Sequence, residues 1–453
     1  MEKVVESVLH RLPFLSRRLD GHMLEVVNGA ALALGLKVVG AGLTFCFNIL
    51  LARTLGAEGA GVYFLALTFT TIATLFGRMG LDNALLKFTA ANAAIDNWQA
   101  VSGLYRKGMK LALPASAGSA LIMFAAAPWL AGLAFNKPEL TTPMRWMALA
   151  VVPLTLLILH AEMLKGLKRI GSSLLVYGVG VPALSLVLLY FLGRPWGVNG
   201  AVWAYALAAG FTALLGMWLW RSAAPHVRTL TGHFETRELL QSSLPLFWVA
   251  SLNLVISWTA IFALGLWGTK EDIGVFSIAA RTAMLTSLIL LSVNSISAPK
   301  FAGLYKTKQM AALASTARNT AKLMTLLASP LLMLFLLFPQ DVMGLFGPGF
   351  TGGAALLSIL AAGQFVNVGT GSVGYLLMMS GNERLLRNNL AFMALLNVLL
   401  NVALVPAWGA LGAALATAVC LALTNLIAAY LVWSRLGIWT IPWLGRISVG
   451  GGV

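Results

Sequence analysis

The chain has 453 residues, of which 59% are hydrophobic and only 10% charged, whereas a soluble domain carries about 25% charged residues. No soluble fold buries that much apolar surface, so lipid is the solvent for much of the chain. The net charge of +16 would suggest nucleic acid in a soluble protein. Here Lys and Arg are scattered rather than blocked, and their excess reads as the basic bias of cytoplasmic loops in membrane proteins, with no nucleic-acid partner.

In chain order, residues 2–20 carry Lys3, Arg11, Arg17 and Arg18 without a continuous apolar run. This is not a cleavable signal peptide; an amphipathic surface helix and a solvated tail both fit. A span needs about 20 mostly apolar residues, and about twelve segments qualify: 29–51, 61–79, 111–134, 146–164, 173–192, 200–220, 244–267, 273–298, 323–338, 354–379, 390–405 and 410–433. Pro153, Pro182, Pro245 and Pro330 lie inside spans, where packed membrane helices tolerate kinks. The expected fold is all-α and integral to the membrane, with about twelve transmembrane helices in two pseudo-symmetric six-helix bundles. The divisions are a cytoplasmic N-terminal segment 1–28, lobes 29–220 and 244–433, a cytoplasmic linker 221–243 and a cytoplasmic tail 434–453.

The loops test this division. Of the 31 Lys and Arg residues, only Arg53, Lys137, Arg145, Arg194 and Lys270 fall on the side opposite the N-terminus, and Lys37 and Arg281 fall inside spans. All the others share the N-terminal side, which predicts that both termini are cytoplasmic. Cys46 and Cys420 lie in apolar segments and read as small buried hydrophobes rather than a disulfide or metal pair.

The halves resemble each other. Gly61-Val62-Tyr63 matches Gly274-Val275-Phe276 at an offset of 213, the turn at Gly166 and Arg169 matches Gly381 and Arg384 at 215, and Trp196 and Gly200 match Trp408 and Gly412 at 212. Three matches in order argue for a six-helix unit repeated twice. An even-numbered unit relates the halves by an axis along the membrane normal, and such transporters bind cargo between their halves.

Enzyme signatures are scarce. The five His form no metal-ligand pair within a span, and there is no G-x-x-x-x-G-K-[ST] loop. The outer-loop acids Glu58, Glu139, Glu271, Asp272 and Asp341 are not clustered with a His. No catalytic residue, metal or cofactor is expected. The informative residues are ionisable groups inside spans, each costing about 2.5–3.5 kcal/mol at a helix centre. Lys37 and Arg281 lie within spans one and eight, and Arg53 and Arg78 lie at opposite ends of span two. The candidate cavity spans contain no acid, so these cations suggest a water-filled cavity for an anionic cargo. Glu162 and His160 form a compact acid–base group in span four and are the candidates for ion coupling; an interfacial pair fits equally. Asn48, Asn253, Ser257, Asn294, Gln364, Asn367, Asn397, Asn401 and Asn425 are also within spans and read mostly as interhelical hydrogen bonds.

The run Leu51-Ala52-Arg53-Thr54-Leu55-Gly56-Ala57-Glu58-Gly59-Ala60-Gly61-Val62-Tyr63 resembles the signature after span one of polysaccharide-biosynthesis flippases in the MOP superfamily, which includes O-antigen (lipopolysaccharide) and exopolysaccharide flippases. Gly77 to Asp82, Gly274 to Arg281, and Pro299-Lys300-Phe301 before a basic loop are similar to later segments of that family. The resemblance implies a two-lobed fold shared with multidrug and toxin extrusion (MATE) transporters and lipid II flippases. It implies a transporter, not an enzyme, in the bacterial inner membrane, whose cargo is a polyprenyl-pyrophosphate-linked oligosaccharide moved from the cytoplasmic to the periplasmic leaflet. Membrane lipids and other polysaccharide-assembly proteins would be its partners. It also implies that Lys37, Arg78 and Arg281, and less closely Arg53, correspond to the cavity arginines that contact pyrophosphate in lipid II flippases; Lys at 37 departs from Arg there and cannot offer a bidentate fork. The alternatives are a multidrug exporter, which needs a buried acid for a cationic cargo, and a membrane-embedded glycan polymerase or ligase, which usually carries a large periplasmic loop that this chain lacks.

Overall fold

The computed structural model describes residues 21–230 and 232–441; residues 2–20 and most of the C-terminal tail lie outside the described residues. Among these there are helices and no strands. The first half comprises α1 (Gly21–Arg78), α2 (Leu81–Ala93), α3 (Trp98–Trp129), α4 (Thr141–Ala148), α5 (Val151–Gly166), α6 (Ile170–Leu174) and α7 (Val181–Ala223). The short α8 (His226–Thr229) lies in the joining segment. The second half comprises α9 (Thr236–Trp267), α10 (Lys270–Ala283), α11 (Ser287–Lys306), α12 (Met310–Leu337), α13 (Pro339–Gly344), α14 (Ala354–Thr370), α15 (Val373–Met379) and α16 (Glu383–Leu436).

Among the described residues, eight helices are long and apolar enough to cross a membrane, or nine if Pro138–Ala148 and Val151–Gly166, bent by 44°, are one span. Three of them run for 46, 54 and 54 residues, about twice what a bilayer core needs. Each is broken by a glycine at positive φ: Gly56 (67°), Gly197 (52°) and Gly409 (52°). These are hairpins. Phe47 and Tyr63, which a straight helix would hold about 24 Å apart, have ring centroids 6.1 Å apart. A Cβ on Gly200 would strike the Leu192 carbonyl, and one on Gly412 the Leu404 carbonyl. With the hairpins opened into pairs, the count reaches the twelve spans expected.

The boundaries shift in a consistent way. α3 begins at Trp98, α9 at Thr236 and α12 at Met310, each well before its apolar stretch, so basic segments expected as loops are helical extensions. The expected linker 221–243 is correspondingly shorter, because α9 already occupies its last residues. The tenth span is interrupted at Gly371 (φ 74°) and the eighth by a 3-10 turn at Met284–Thr286. Cys46 is exposed rather than buried. Most of the span Asn and Ser side chains bond within their own helix, as Asn401 Nδ2 does to Asn397 O and Asn425 Nδ2 to Leu421 O. The expected interhelical role is met at Gln364, whose Oε1 accepts from Ser287 Oγ at 3.3 Å.

The repeat is physical. Gly197 and Gly409 share one conformation, φ 52° with ψ −131° and −130°. The turn match at 215 is out of register by two residues. Lys168 (φ 59°) pairs with Gly381 (φ 76°), and Arg169 N to Leu164 O mirrors Asn382 N to Leu377 O, both 2.9 Å, so the offset there is again 213. A further pair had no sequence signal: Asp96 (φ 54°) and Lys308 (φ 58°) open equivalent turns.

The halves meet where the repeat is clearest. A Cβ on Gly61 would fall on the Lys270 carbonyl, and one on Gly274 on the Ala57 carbonyl. The contact is reciprocal, with α1 beyond Gly56 crossing α10 backbone to backbone, as small residues permit. The halves touch again near the other end of α1, where Gly80 (φ 72°) abuts Ser243 and Phe247, and the Phe76 and Phe247 rings are 5.5 Å apart. The face bearing Gly56, Gly197 and Gly409 is called the hairpin face below; the opposite one, with most Lys and Arg, is the basic face. Gly61→Val should force α1 and α10 apart at an overpacking cost of about 1–3 kcal/mol and lower the melting temperature of the purified protein. Gly35→Ala, where a Cβ meets nothing within 4 Å, should leave it unchanged.

Candidate functional site

A cavity of about 350 Å³ lies between the arms of α1, α5, α7 and α10. Thr44 and Asn48 reach it from the first arm of α1, and Tyr63, Phe64, Thr71, Thr74 and Arg78 from the second. Ser185 and Tyr205 on α7 face it, and Arg281 on α10 is the one lining residue from the second half. Its charged lining residues are Arg78 and Arg281, with no carboxylate among them. Several polar groups around it are unsatisfied: Tyr63 Oη, on a residue 0% exposed, Ser185 Oγ and Arg78 Nε have no hydrogen-bond partner among the described residues. Buried polar groups are normally bonded, so such a cluster marks a place where something else supplies the partners.

Arg281 sits about 16 Å along α10 from Lys270, near the middle of the candidate span Lys270–Asn294. Its guanidinium lies 4.6 Å from the centroid of Phe64, a cation–π contact, and it joins no ion pair among the described residues. It also lines a second cavity, of about 260 Å³, between α1 and α10–α11, with Thr44 and Asn48 shared and Ala41, Phe45, Met284, Leu288 and Leu291 making the rest mostly apolar.

The other expected residues separate. Arg78 lines the cavity at its basic end, and its Nη1 pairs with Asp82 at 2.6 Å. Lys37 is exposed and lines neither cavity. It shares the helix face of Ala41, Thr44 and Asn48 and stands about 28 Å along α1 from the Gly56 turn, near the start of the candidate span Ala33–Arg78. Arg53 is on the hairpin face, exposed, with Nε bonded to Leu345 O at 2.8 Å. Glu162 and His160 do not form a unit. Two residues apart on α5 they point to different sides: Glu162 pairs with Lys165 at 3.1 Å, whereas buried His160 bonds Leu156 O at 2.7 Å and Tyr105 Oη at 3.2 Å.

Sequence reading missed a latch across the hairpin face. Lys270 from the second half meets Glu139 at 2.9 Å and Glu58 at 3.4 Å. Lys137 Nζ crosses to Gly265 O at 2.7 Å, and Arg53 crosses to Leu345 O. Burial, the larger influence on Lys137, pulls its ammonium below the ordinary lysine range, while Glu139 works in the opposite sense. The only sequence hint was that acids and bases alternate in these outer loops.

The fold is shared with solved transporters. A multidrug resistance MATE family transporter of the MOP superfamily, in an inward-facing conformation, superposes with a TM-score of 0.74 at 15% identity, over 90% of this chain and 98% of that one. The lipid II flippase MurJ, inward closed, gives 0.72 at 13% identity, over 89% and 87%. In sequence, the probable low-salt glycan biosynthesis flippase Agl15 of Haloferax volcanii is 24% identical over 404 residues, covering 89% of this chain and 82% of that protein. The architecture is therefore that of the polytopic MOP-type membrane transporters. The chain belongs to the polysaccharide biosynthesis protein family, which it matches over residues 26–304. Fold and family together place it among membrane transporters rather than enzymes.

Glu162→Gln should leave the melting temperature essentially unchanged, because a partly exposed pair contributes about 0–1 kcal/mol. His160→Phe leaves the Tyr105 hydroxyl without its partner and should destabilise by about 1–3 kcal/mol, read as a lower melting temperature in the same detergent.

Proposed function

We propose that the protein is a flippase that carries a polyprenyl-pyrophosphate-linked oligosaccharide across the membrane for surface polysaccharide synthesis. The observation that carries this reading is Arg281, a cation near the middle of a candidate span with no acid to neutralise it among the described residues, at the junction of two cavities of different character. The first cavity offers the unsatisfied Tyr63 and Ser185 hydroxyls and Arg78, which suit a phosphate and its sugar. The second is mostly apolar and suits a lipid chain. A lipid-linked phosphate needs both. Guanidinium binds phosphate with two parallel hydrogen bonds, and the names of the relatives point to the same class of cargo.

Direction follows from orientation. The basic face is the cytoplasmic one by the distribution of Lys and Arg, with both termini on that side of a bacterial inner membrane. Cargo enters from the cytoplasmic leaflet while the hairpin face is latched, and leaves when the two lobes rock and that face opens. A multidrug exporter for cations would need an acid where this cavity has Arg281. A polymerase or ligase would need a catalytic group, and the cavity lining offers no carboxylate or histidine.

Losing a charge-assisted contact costs about 1.5–3 kcal/mol, or roughly a tenfold to hundredfold loss of affinity. In a strain lacking the protein, Arg281→Lys should partly restore surface polysaccharide, Arg281→Ala poorly and Arg281→Glu not at all, at equal membrane levels. Arg194→Ala, an exposed arginine on the hairpin face, should restore it fully. Full restoration by well-expressed Arg281→Glu would overturn the anionic-cargo reading, and drug sensitivity without a glycan defect would point to the exporter.

A further inference from the structure

A second cationic cavity, separate from the central one, lies on the basic face where α7 ends. It has a volume of about 410 Å³ and is lined by Tyr105, Arg106, Trp220, Arg221, Ala224 and Val227. Three features set it apart from a solvated basic surface. Trp220 is 0% exposed, yet its indole Nε1 has no hydrogen-bond acceptor among the described residues, although a buried indole N–H usually finds one. Tyr105 stacks on Trp220 with centroids 5.5 Å apart and planes at 30°, and its hydroxyl is held by His160, so the aromatic wall is fixed. Neither Arg106 nor Arg221 joins any ion pair among the described residues.

The segment joining the two halves forms the roof. Ser102 Oγ donates to Leu230 O at 2.7 Å and to Val227 O at 3.2 Å, and Arg106 Nη2 donates to Leu230 O at 3.0 Å. Gly232 and Gly103 bring this segment against α3 so closely that a Cβ at Gly232 would fall on the Gln99 carbonyl. Arg106 therefore spends one donor on the joining segment and keeps others for a ligand, since a guanidinium has five N–H donors.

The geometry points to a binding site for a phosphate group, held by Arg106 and Arg221 with the indole N–H of Trp220 as a third donor. The donors are all N–H groups and the wall is aromatic, which selects an anion with several acceptor oxygens. An anionic lipid headgroup and a soluble molecule both present such a phosphate, and the chemistry at the site is the same. Because Arg106 also holds Leu230, occupancy bears on how firmly the joining segment is docked. The site shares no lining residue with the central cavity, so it stands independently of the flippase reading.

The test uses the purified full chain. In one arm, native mass spectrometry measures retention of phosphatidylglycerol and phosphatidic acid against phosphatidylcholine. In the other, thermal melting is titrated with inorganic phosphate against chloride at equal ionic strength. The double substitution Arg106→Gln and Arg221→Gln should weaken binding at least tenfold in whichever arm shows it, and Trp220→Phe severalfold. Arg435→Gln, an exposed arginine elsewhere on the basic face, should leave it unchanged. Retention of the anionic lipids assigns the headgroup; stabilisation by phosphate alone assigns a soluble ligand. No selective binding in either arm, or binding that survives the double substitution with the melting temperature intact, overturns the site. If the double substitution fails to fold, Arg221→Lys, which keeps charge but loses the fork, must still reduce binding.

Discussion

Everything at the centre of this molecule depends on two glycines. Gly61 and Gly274 let the second arm of α1 and α10 cross at backbone distance, each glycine lying against a carbonyl of the opposite helix. One turn past Gly61 comes Phe64, and two turns past Gly274 comes Arg281. The crossing therefore sets the guanidinium of one half over an aromatic ring of the other. Larger residues at the crossing would widen the gap between halves and carry Arg281 out of reach of the cavity it lines.

That arginine states the chemistry of the cavity. A cation at membrane depth is expensive unless something opposes it, and a ring face opposes it only in part. The unsatisfied hydroxyls of Tyr63 and Ser185 are donors looking for acceptors in the same space. With two guanidiniums and no carboxylate in the lining, they are what the proposal of an anionic cargo rests on. The fold shared with drug exporters does not decide the cargo, since a fold hosts many cargoes.

Much of the architecture was legible because membrane spans are written in long apolar runs and because the repeat left glycines at matching positions. The glycine at 197 and its counterpart at 409 share a conformation to within a degree in ψ, so a sequence match there was a match of backbone. The turn at Lys168 was harder, since its partner is Gly381 and the two share a φ sign but not a residue type; aligning glycine with glycine misplaced the register by two. Arg281 could be found by depth alone. Lys37 could not, because its depth is set by where Gly56 turns the chain, and Arg53 could not, because its acceptor lies 292 residues away. Glu162 and His160 looked paired because they are near in sequence, but two residues on a helix face different ways.

The latch on the hairpin face has an uneven genetic exposure. Lys270 meets two carboxylate side chains, so substitution at any of the three residues can break a contact. Arg53 and Lys137 instead donate to the carbonyl oxygens of Leu345 and Gly265, and a main-chain acceptor persists whatever side chain a codon specifies. The acceptor half of the Arg53 link is thus shielded from missense change. Drift in the second half can rewrite residue 345 without unfastening the first half from it, whereas residue 265 is held to glycine, because a Cβ there would come within 2.6 Å of the Phe135 ring of the first half.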